Sequence, residues 1–198
     1  MKKLVLTTLI ATGLGLSAQG VFADTAANSA NAGNAGLITI TGKVTDTTCL
    51  INGKENGDLT VKLPPVSTKV LSAQGKFAGT TAFTLELSEC ESASRNLATK
   101  VGAFFANEAD KVTADGKLLN KPDGTAAQNV VVQLLHADGD TPIDITKDYE
   151  GQTPDGKKAL MDSGNKKATL RYKARYYATA AAGAGAVKST VNYTIAYE

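Results

Sequence analysis

The most constraining feature of this sequence is an alternating stretch near the N-terminus, residues 36–49. From residue 38 to residue 44, every second position carries an apolar residue or glycine, and these positions are Ile38, Ile40, Gly42 and Val44. A period of two predicts a β-strand with one buried face, and a pairing shift of one residue would turn that face to water. The preceding residues 24–36 are small and polar. The strand therefore lies almost at the free end of the mature chain, and its partner decides the function.

The first 23 residues have the features of a secretory signal peptide. Lys2 and Lys3 form a basic start, and the apolar run that follows is too short to span a bilayer. Residues 21–23 place small side chains at the spacing for signal peptidase, so we expect cleavage after Ala23. The alternatives are an uncleaved membrane anchor and a type IV prepilin. No further apolar segment supports the first, and polar residues stand where the second would continue its helix.

Length and composition indicate that the mature chain is one domain with no net formal charge. Removing 23 of the 198 residues leaves 175, which is an ordinary domain size. The chain has 21 basic and 19 acidic residues, and the loss of Lys2 and Lys3 lowers its formal charge from +2 to 0. No basic cluster with interleaved aromatic residues is present, so we set nucleic-acid binding aside.

Cys49 and Cys90 are expected to form a disulfide, because an exported chain meets an oxidising compartment. Closing a loop of about 40 residues would stabilise the fold by roughly 3–4 kcal/mol. Two buried free thiols are the alternative. With one histidine, His136, the two cysteines cannot make the usual tetrahedral zinc site, and we expect no cofactor or metal.

Six further segments read as strands joined by loops. They are residues 59–63, 82–90, 100–107, 129–136, 167–177 and 191–198. Cys90 has the opposite parity to Leu85 and Leu87, which predicts a bulge near Ser88 or Glu89 if Cys90 points inward. Residues 72–80 read as a polar crossover, and residues 129–136, a continuous apolar run, read as a central strand.

Turn signals complete an all-β pattern without a convincing helix. Four Asp-Gly pairs, at residues 115–116, 123–124, 138–139 and 155–156, predict turns rather than calcium loops. Along residues 167–177 the basic positions up to Arg175 alternate with apolar ones, and a solvated outer sheet face explains them best. The sum predicts a β-sandwich of short strands.

Enzyme chemistry is not supported. His136 lies at a strand end, and no G-x-S-x-G nucleophile motif exists to accompany it. A paired-carboxylate glycosidase is possible in principle, but the acidic residues lie mainly in turns or, like Glu86, at outward positions. We therefore expect that the protein is not an enzyme.

Several motifs in order resemble the major subunits of chaperone–usher fimbriae, the type 1 pilin-like group. Residues 38–49, ITITGKVTDTTC, resemble the N-terminal extension of that family, and residues 83–90, FTLELSEC, resemble its strand with the second cysteine. Residues 174–179, ARYYAT, resemble the near-terminal strand. Gly185, fourteenth from the end, and the penultimate Tyr197 complete the resemblance, which covers the whole mature chain.

The resemblance implies an incomplete immunoglobulin-like β-sandwich that lacks its last strand. A periplasmic chaperone would supply a strand during folding, and at the outer-membrane usher the next subunit's extension would replace it. The inserted side chains would be Ile38, Ile40 and Val44, with Gly42 passing a shallow part of the groove. The strand beside the groove, which the chaperone would recognise, would carry Gly185, Val191, Tyr193, Ile195 and Tyr197.

The expected domains are a signal peptide (1–23), an extension with the donor strand (24–47) and a pilin domain (48–198). We expect a structural subunit that is exported through the periplasm and joins copies of itself head to tail in a surface fimbrium that supports adhesion. The alternatives are a minor, adaptor or adhesive subunit that binds a host-surface receptor, and a self-complete secreted sandwich. Residues 24–36 are expected to be disordered in an isolated subunit.

Overall fold

The computed structural model of this chain describes residues 38–40, 44, 47–92 and 98–198. The chain divides into residues 1–42 and 43–198. In the first part Ile38, Thr39 and Ile40 are described, and all three are exposed and outside any strand. The predicted signal peptide and its cleavage site lie outside the described residues. No helix of the described residues is long and apolar enough to cross a membrane.

Antiparallel strands in residues 43–198 form two sheets. The strands are β1 (Thr48–Ile51), β2 (Phe77–Glu91), β3 (Lys100–Phe105), β4 (Val130–His136), β5 (Ala159–Leu160), β6 (Ala168–Ala178) and β7 (Tyr193–Tyr197). One sheet has the order β1-β2-β6-β4 and the other β5-β3-β7. A one-turn helix, α1 (Tyr149–Gln152), and two 3-10 turns, Thr68–Leu71 and Asp155–Lys157, connect them. The predicted all-β sandwich is confirmed, and α1 and the two-residue strand β5 are elements that the sequence did not indicate.

The core contains the buried side chains of both sheets. Leu85 and Leu87 of β2 and Val101 of β3 are almost fully buried within it. Tyr172 of β6 lies at its centre, with its ring centroid 5.4 Å from that of Phe105 in an edge-on arrangement. Burial of each such side chain contributes about 1.5–3 kcal/mol, so this core is the main stabilising element of the sandwich.

The predicted disulfide and bulge are both present. Cys49 is bonded to Cys90, and Cys90 is fully buried. The register between β1 and β2 shifts between Thr48 and Leu50, and Glu89 has a φ of 51°. The extra residue lets Cys90 point inward although its parity differs from that of Leu87.

Strand β4 is buried along its whole length, as its apolar run predicts. It stands at the end of its sheet rather than in the middle, so the expected central position is wrong in strand order. Loops cover the outer edge instead: Val132 and Leu118 exchange two backbone hydrogen bonds, of 2.8 and 2.9 Å, and Ile143 donates to Leu134. The edge is therefore closed without a further strand.

Two other expectations need correction. Residues 59–63 are in no strand, because no backbone partner lies beside them among the described residues. The crossover predicted for residues 72–80 ends early, since β2 begins at Phe77 and pairs there with Tyr177. Two of the four Asp-Gly turns, at Gly116 and Gly139, use the positive φ that glycine allows, with 76° and 82°.

Arg175 is buried rather than solvated. Its Nε and Nη2 atoms donate to Oε1 of Gln133 at 2.9 and 2.7 Å, and its guanidinium lies 3.7 Å from the ring centroid of Phe77. A flat guanidinium can stack on an aromatic ring, which lets this cation be covered without a carboxylate. The outer face of the sheet is therefore not a uniform basic stripe.

Candidate functional site

An apolar groove of about 1460 Å³ lies beside the last strand. Residues 58–63 form one wall, and residues 187–195, which include the start of β7, form the other. The floor is built of core side chains: Phe83, Leu85, Phe105, Leu118, Val132 and Leu134. The groove therefore opens directly onto the hydrophobic core.

The wall formed by β7 presents a free backbone edge to the groove. The amide of Ala106 donates to the carbonyl of Asn192, and Glu198 exchanges hydrogen bonds with Lys100, so the even-numbered residues bond to β3. Because direction alternates along an antiparallel strand, the N–H and C=O groups of Tyr193 and Ile195 point to the other edge. In the described part of the chain no strand pairs with that edge.

The side chains of this wall alternate as the sequence predicted. Val191, Tyr193, Ile195 and Tyr197 are partly buried and pack against the core, whereas Thr194 is exposed. Val191, Tyr193 and Ile195 line the groove, and Tyr197 lies on the same face beyond its lining. The same residues thus direct side chains to the core and backbone groups to the groove.

The opposite wall is also unpaired. No backbone hydrogen bond joins residues 59–63 to any other described residue. Val61 and Leu63 are partly buried, whereas Thr60 and Lys62 are exposed. This is the alternation of a strand without a neighbour, and it explains why the period-two pattern alone predicted a paired strand.

A hydrogen bond joins the β7 wall to the loop that leads into the other wall. The Tyr193 hydroxyl donates to the carbonyl of Gly57 at 2.6 Å. Gly57 has a φ of 63°, and a Cβ there would lie 2.7 Å from that hydroxyl. Burial, reinforced by the negative charge of Asp58, raises the pKa of Tyr193, so the hydroxyl keeps its proton at neutral pH. Sequence reasoning missed Gly57, because nothing local in the sequence indicates this contact.

Gly185 lies at the far end of the groove, in a second apolar cavity of about 380 Å³. Leu63, Tyr176 and Val187 line both cavities. A Cβ on Gly185 would overlap the backbone nitrogen of Ala127, beside the parallel bridge between Ala126 and Ala186. Glycine is therefore required here by close backbone approach rather than by its φ.

Lys158 holds the end of β7 in place. Its ammonium group lies 2.7 Å from the Glu198 carboxylate, 3.1 Å from that of Asp155 and 3.2 Å from that of Glu150. The hydrogen bond to Glu198, with those to the other two carboxylates, raises the pKa of Lys158. The wall of the groove is thus anchored at its C-terminal end.

The sequence-predicted donor residues are not brought to this groove within one chain. Ile38, Ile40 and Val44 are 84%, 90% and 100% exposed, and Gly42 lies outside the described residues. His136 is buried near Tyr172, and burial lowers its pKa. Among the described residues, the groove is thus open and the three predicted donor side chains are exposed.

Comparison with known proteins identifies the family. The family model of the type-1 fimbrial protein, A (FimA) matches residues 63–198. This chain belongs to that family. The F17 fimbrial protein of Escherichia coli is 43% identical over 173 residues, which cover 87% of this chain and 93% of the relative. The major fimbrial subunit SMF-1 of Stenotrophomonas maltophilia is 39% identical over 173 residues, with 87% and 95% covered.

The fimbrial subunit also shares its fold with a solved pilus protein. The P pilus rod subunit PapA superposes with a TM-score of 0.55 at 15% identity, over 76% of this chain and 99% of that one. At this identity the likeness shows the fold alone, an immunoglobulin-like β-sandwich. The family match and the curated relatives make this chain a structural subunit of a fimbrium.

Proposed function

We propose that this fimbrial subunit polymerises by strand donation, with the N-terminal extension of one copy filling the groove of the next. The observation that carries the proposal is the pair of unpaired walls on either side of an apolar groove. A single strand inserted between the walls would lie about 4.8 Å from each wall where it bonds to both. Backbone bonds would supply affinity, and alternate side chains would fill the groove.

The exposed residues Ile38, Ile40 and Val44 supply the complementary part. Their spacing places all three side chains on one face of an extended strand. Each would gain about 1.5–3 kcal/mol on burial in a neighbour's groove. We propose that Gly42 passes a shallow point between them, so that Gly42→Leu blocks assembly.

A donated strand makes a head-to-tail contact, because the donor and acceptor surfaces of one copy differ. When such a contact does not close into a ring, it gives an open fibre, and we propose that it does so here. The words "major fimbrial subunit" in the names of several relatives support the main structural role over an adaptor role. We place the finished fibre on the cell surface and assign the subunit no catalytic role.

Before assembly the groove needs another occupant. We propose that a periplasmic chaperone supplies it by pairing with β7, and that the outer-membrane usher exchanges that strand for the next subunit. The face that carries Val191, Tyr193, Ile195 and Tyr197 is the recognition surface in this proposal, with Gly185 at its far end. An apolar edge left bare would otherwise invite aggregation.

Two deletions of equal length test the proposal. Deleting residues 36–46 removes the donor strand but keeps Thr47, whose Oγ1 accepts the Ala98 amide. Deleting residues 25–35 is the control. With the chaperone and usher present, electron microscopy should show fibres for the control and none for the first variant. Normal fibres from the first variant would refute donation by this segment.

A pair of point variants tests the side-chain pattern. Ile40→Asp places a charge on the inserted face, and Thr39→Asp places the same charge on the opposite face. Both positions are exposed in the single chain, so subunit recovery should be equal. Fibre length should fall strongly for Ile40→Asp alone, and equal loss in both variants would contradict the assigned face.

A further inference from the structure

Asn52 carries a shielded hydrogen-bond donor without an acceptor at one end of the groove. Its Oδ1 accepts the Glu86 amide at 2.9 Å, and its own amide donates to the Glu86 carbonyl at 2.8 Å. Because Oδ1 is already the acceptor, the other side-chain atom must be the NH₂ group. That Nδ2 atom is buried and has no partner among the described residues.

The position of this amide is fixed by a tight turn. Ile51 and Lys54 exchange backbone hydrogen bonds of 2.9 and 3.0 Å, and Asn52 and Gly53 between them have φ values of 51° and 70°. This is the Asn-Gly turn in which both central residues take positive φ. The turn lies at the edge of the fold, since Gly53 and Lys54 are exposed.

Asn52 belongs to the groove lining, together with Ile51, Lys54 and Ile195. The unpaired wall begins just after this point, at residue 58. Asn52 therefore offers a side-chain donor at this end of the groove.

We propose that Nδ2 of Asn52 donates a hydrogen bond to a main-chain carbonyl of the strand inserted by a second copy of this chain. The inference rests on the proposed function and adds a residue that helps to fix the position of the inserted strand. An amide donor left unpaired is costly, and folded proteins rarely keep one. The inserted strand removes that cost, because its carbonyl supplies the missing acceptor.

The test uses the mature chain and a synthetic peptide of residues 36–46 carrying a fluorophore. Asn52→Asp keeps the shape, the turn preference and the acceptor for Glu86 but removes the donor. Asn129→Asp is the matched control: Asn129 has a φ of 58°, and its Nδ2 already donates to the Ala181 carbonyl at 2.9 Å. Asn52→Gly is a second variant, since glycine accepts the same φ.

Peptide affinity, from fluorescence anisotropy, should fall about 10-fold in Asn52→Asp, as expected for one lost hydrogen bond. In Asn129→Asp it should be unchanged, because its Nδ2 already donates to the Ala181 carbonyl. Equal affinity of Asn52→Asp and the unaltered chain would overturn the inference and leave strand donation intact. Absence of peptide binding to the unaltered chain would overturn strand donation itself.

An ester scan of the peptide locates the acceptor. An ester carbonyl accepts hydrogen bonds less well than an amide, so each peptide bond from residue 36 to 46 is replaced in turn. One replacement should weaken binding to the unaltered chain several-fold more than binding to Asn52→Gly. If every replacement costs both proteins the same, Asn52 makes no bond to the inserted backbone and the inference is wrong.

Discussion

The two edges of the three-stranded sheet are finished in opposite ways. Beyond β5, side chains satisfy the outer edge of β3: Gln152 accepts from the Phe105 amide and donates to its carbonyl, both at 3.0 Å. The Thr153 hydroxyl donates to the Ala103 carbonyl, and the Ala103 amide donates to the Tyr172 hydroxyl. At the other edge, β7 faces the groove without a partner in the described part of the chain.

The contrast shows that the bare edge of β7 is an exception, because the chain covers the comparable edges of β3 and β4. The chain closes the edge of β3 with side chains and the edge of β4 with loop backbone, yet it leaves β7 bare above an apolar floor. A free apolar edge is a liability that proteins normally cover. A chain that carries both this bare edge and exposed apolar residues of matching period fits completion by another copy.

The largest loss of stability is expected at the edge of β3 that side chains close. Gln152→Leu leaves the amide and carbonyl of Phe105 without partners, at about 1–3 kcal/mol for each buried group. The free energy of unfolding should fall by roughly 3 kcal/mol, measured by urea denaturation. Gln128→Leu is the control, since Gln128 is exposed and its side chain donates to the Ala126 carbonyl. Equal effects would mean that Gln152 does not support the edge.

Two proline variants compare the edge of β4, which loops cover, with the open edge of β7. The Val132 amide donates to Leu118 at the covered edge of β4, whereas the Ile195 amide points into the groove. Val132→Pro should destabilise the subunit by about 3 kcal/mol, because it removes an internal bond and disturbs a buried strand. Ile195→Pro should cost the subunit less but prevent peptide uptake and fibre formation. Fibres of normal length from Ile195→Pro would contradict pairing along β7.

The sequence predicted which face of a strand each side chain occupies better than it predicted which strands pair. Period-two patterns placed Leu85, Leu87 and Tyr172 in the core and identified the shared face of Tyr193 and Ile195, because side-chain alternation is a local property. The bulge at Glu89 could be inferred from parity alone. Partners depend on contacts between distant segments, so residues 59–63 were wrongly expected to pair, although their alternation is real.

The parts that could not be predicted share a cause. The sequence places Arg175 in a row of alternating basic residues, which predicts a solvated side chain. Its burial depends on Gln133 and Phe77 from neighbouring strands. Gln152 and Gly57 are ordinary loop residues in the sequence, and their roles follow only from the elements they meet. For Gly185, the family resemblance marked a position, and the structure supplies its reason, the approach of Ala127.

A smaller effect is expected from the bond between Tyr193 and Gly57. Tyr193→Phe should lower the free energy of unfolding by about 1 kcal/mol, since it removes one hydrogen bond and keeps the ring. Because the folded pKa of Tyr193 is raised, its contribution is present at neutral pH and lost as the pH rises above about 10. Tyr197→Phe, on the same face of β7, is the control. Equal destabilisation in both variants would show that the bond to Gly57 has no special effect.

The smallest effect on stability is expected at Asp138, which lies in a turn outside the groove. This variant tests whether the loss of stability in acid is independent of peptide binding by the groove. The Lys157 ammonium, with the Thr141 amide and hydroxyl, holds the pKa of Asp138 well below its usual range. Asp138 therefore stabilises the fold above about pH 4, and this contribution is lost as the pH falls further. Asp138→Asn should reduce stability slightly at pH 7 and flatten its decline between pH 4 and 2, measured by thermal unfolding. Peptide binding at pH 7 should be unchanged, because Asp138 lies outside the groove lining. A parallel loss of peptide binding would show that this turn and the groove are coupled.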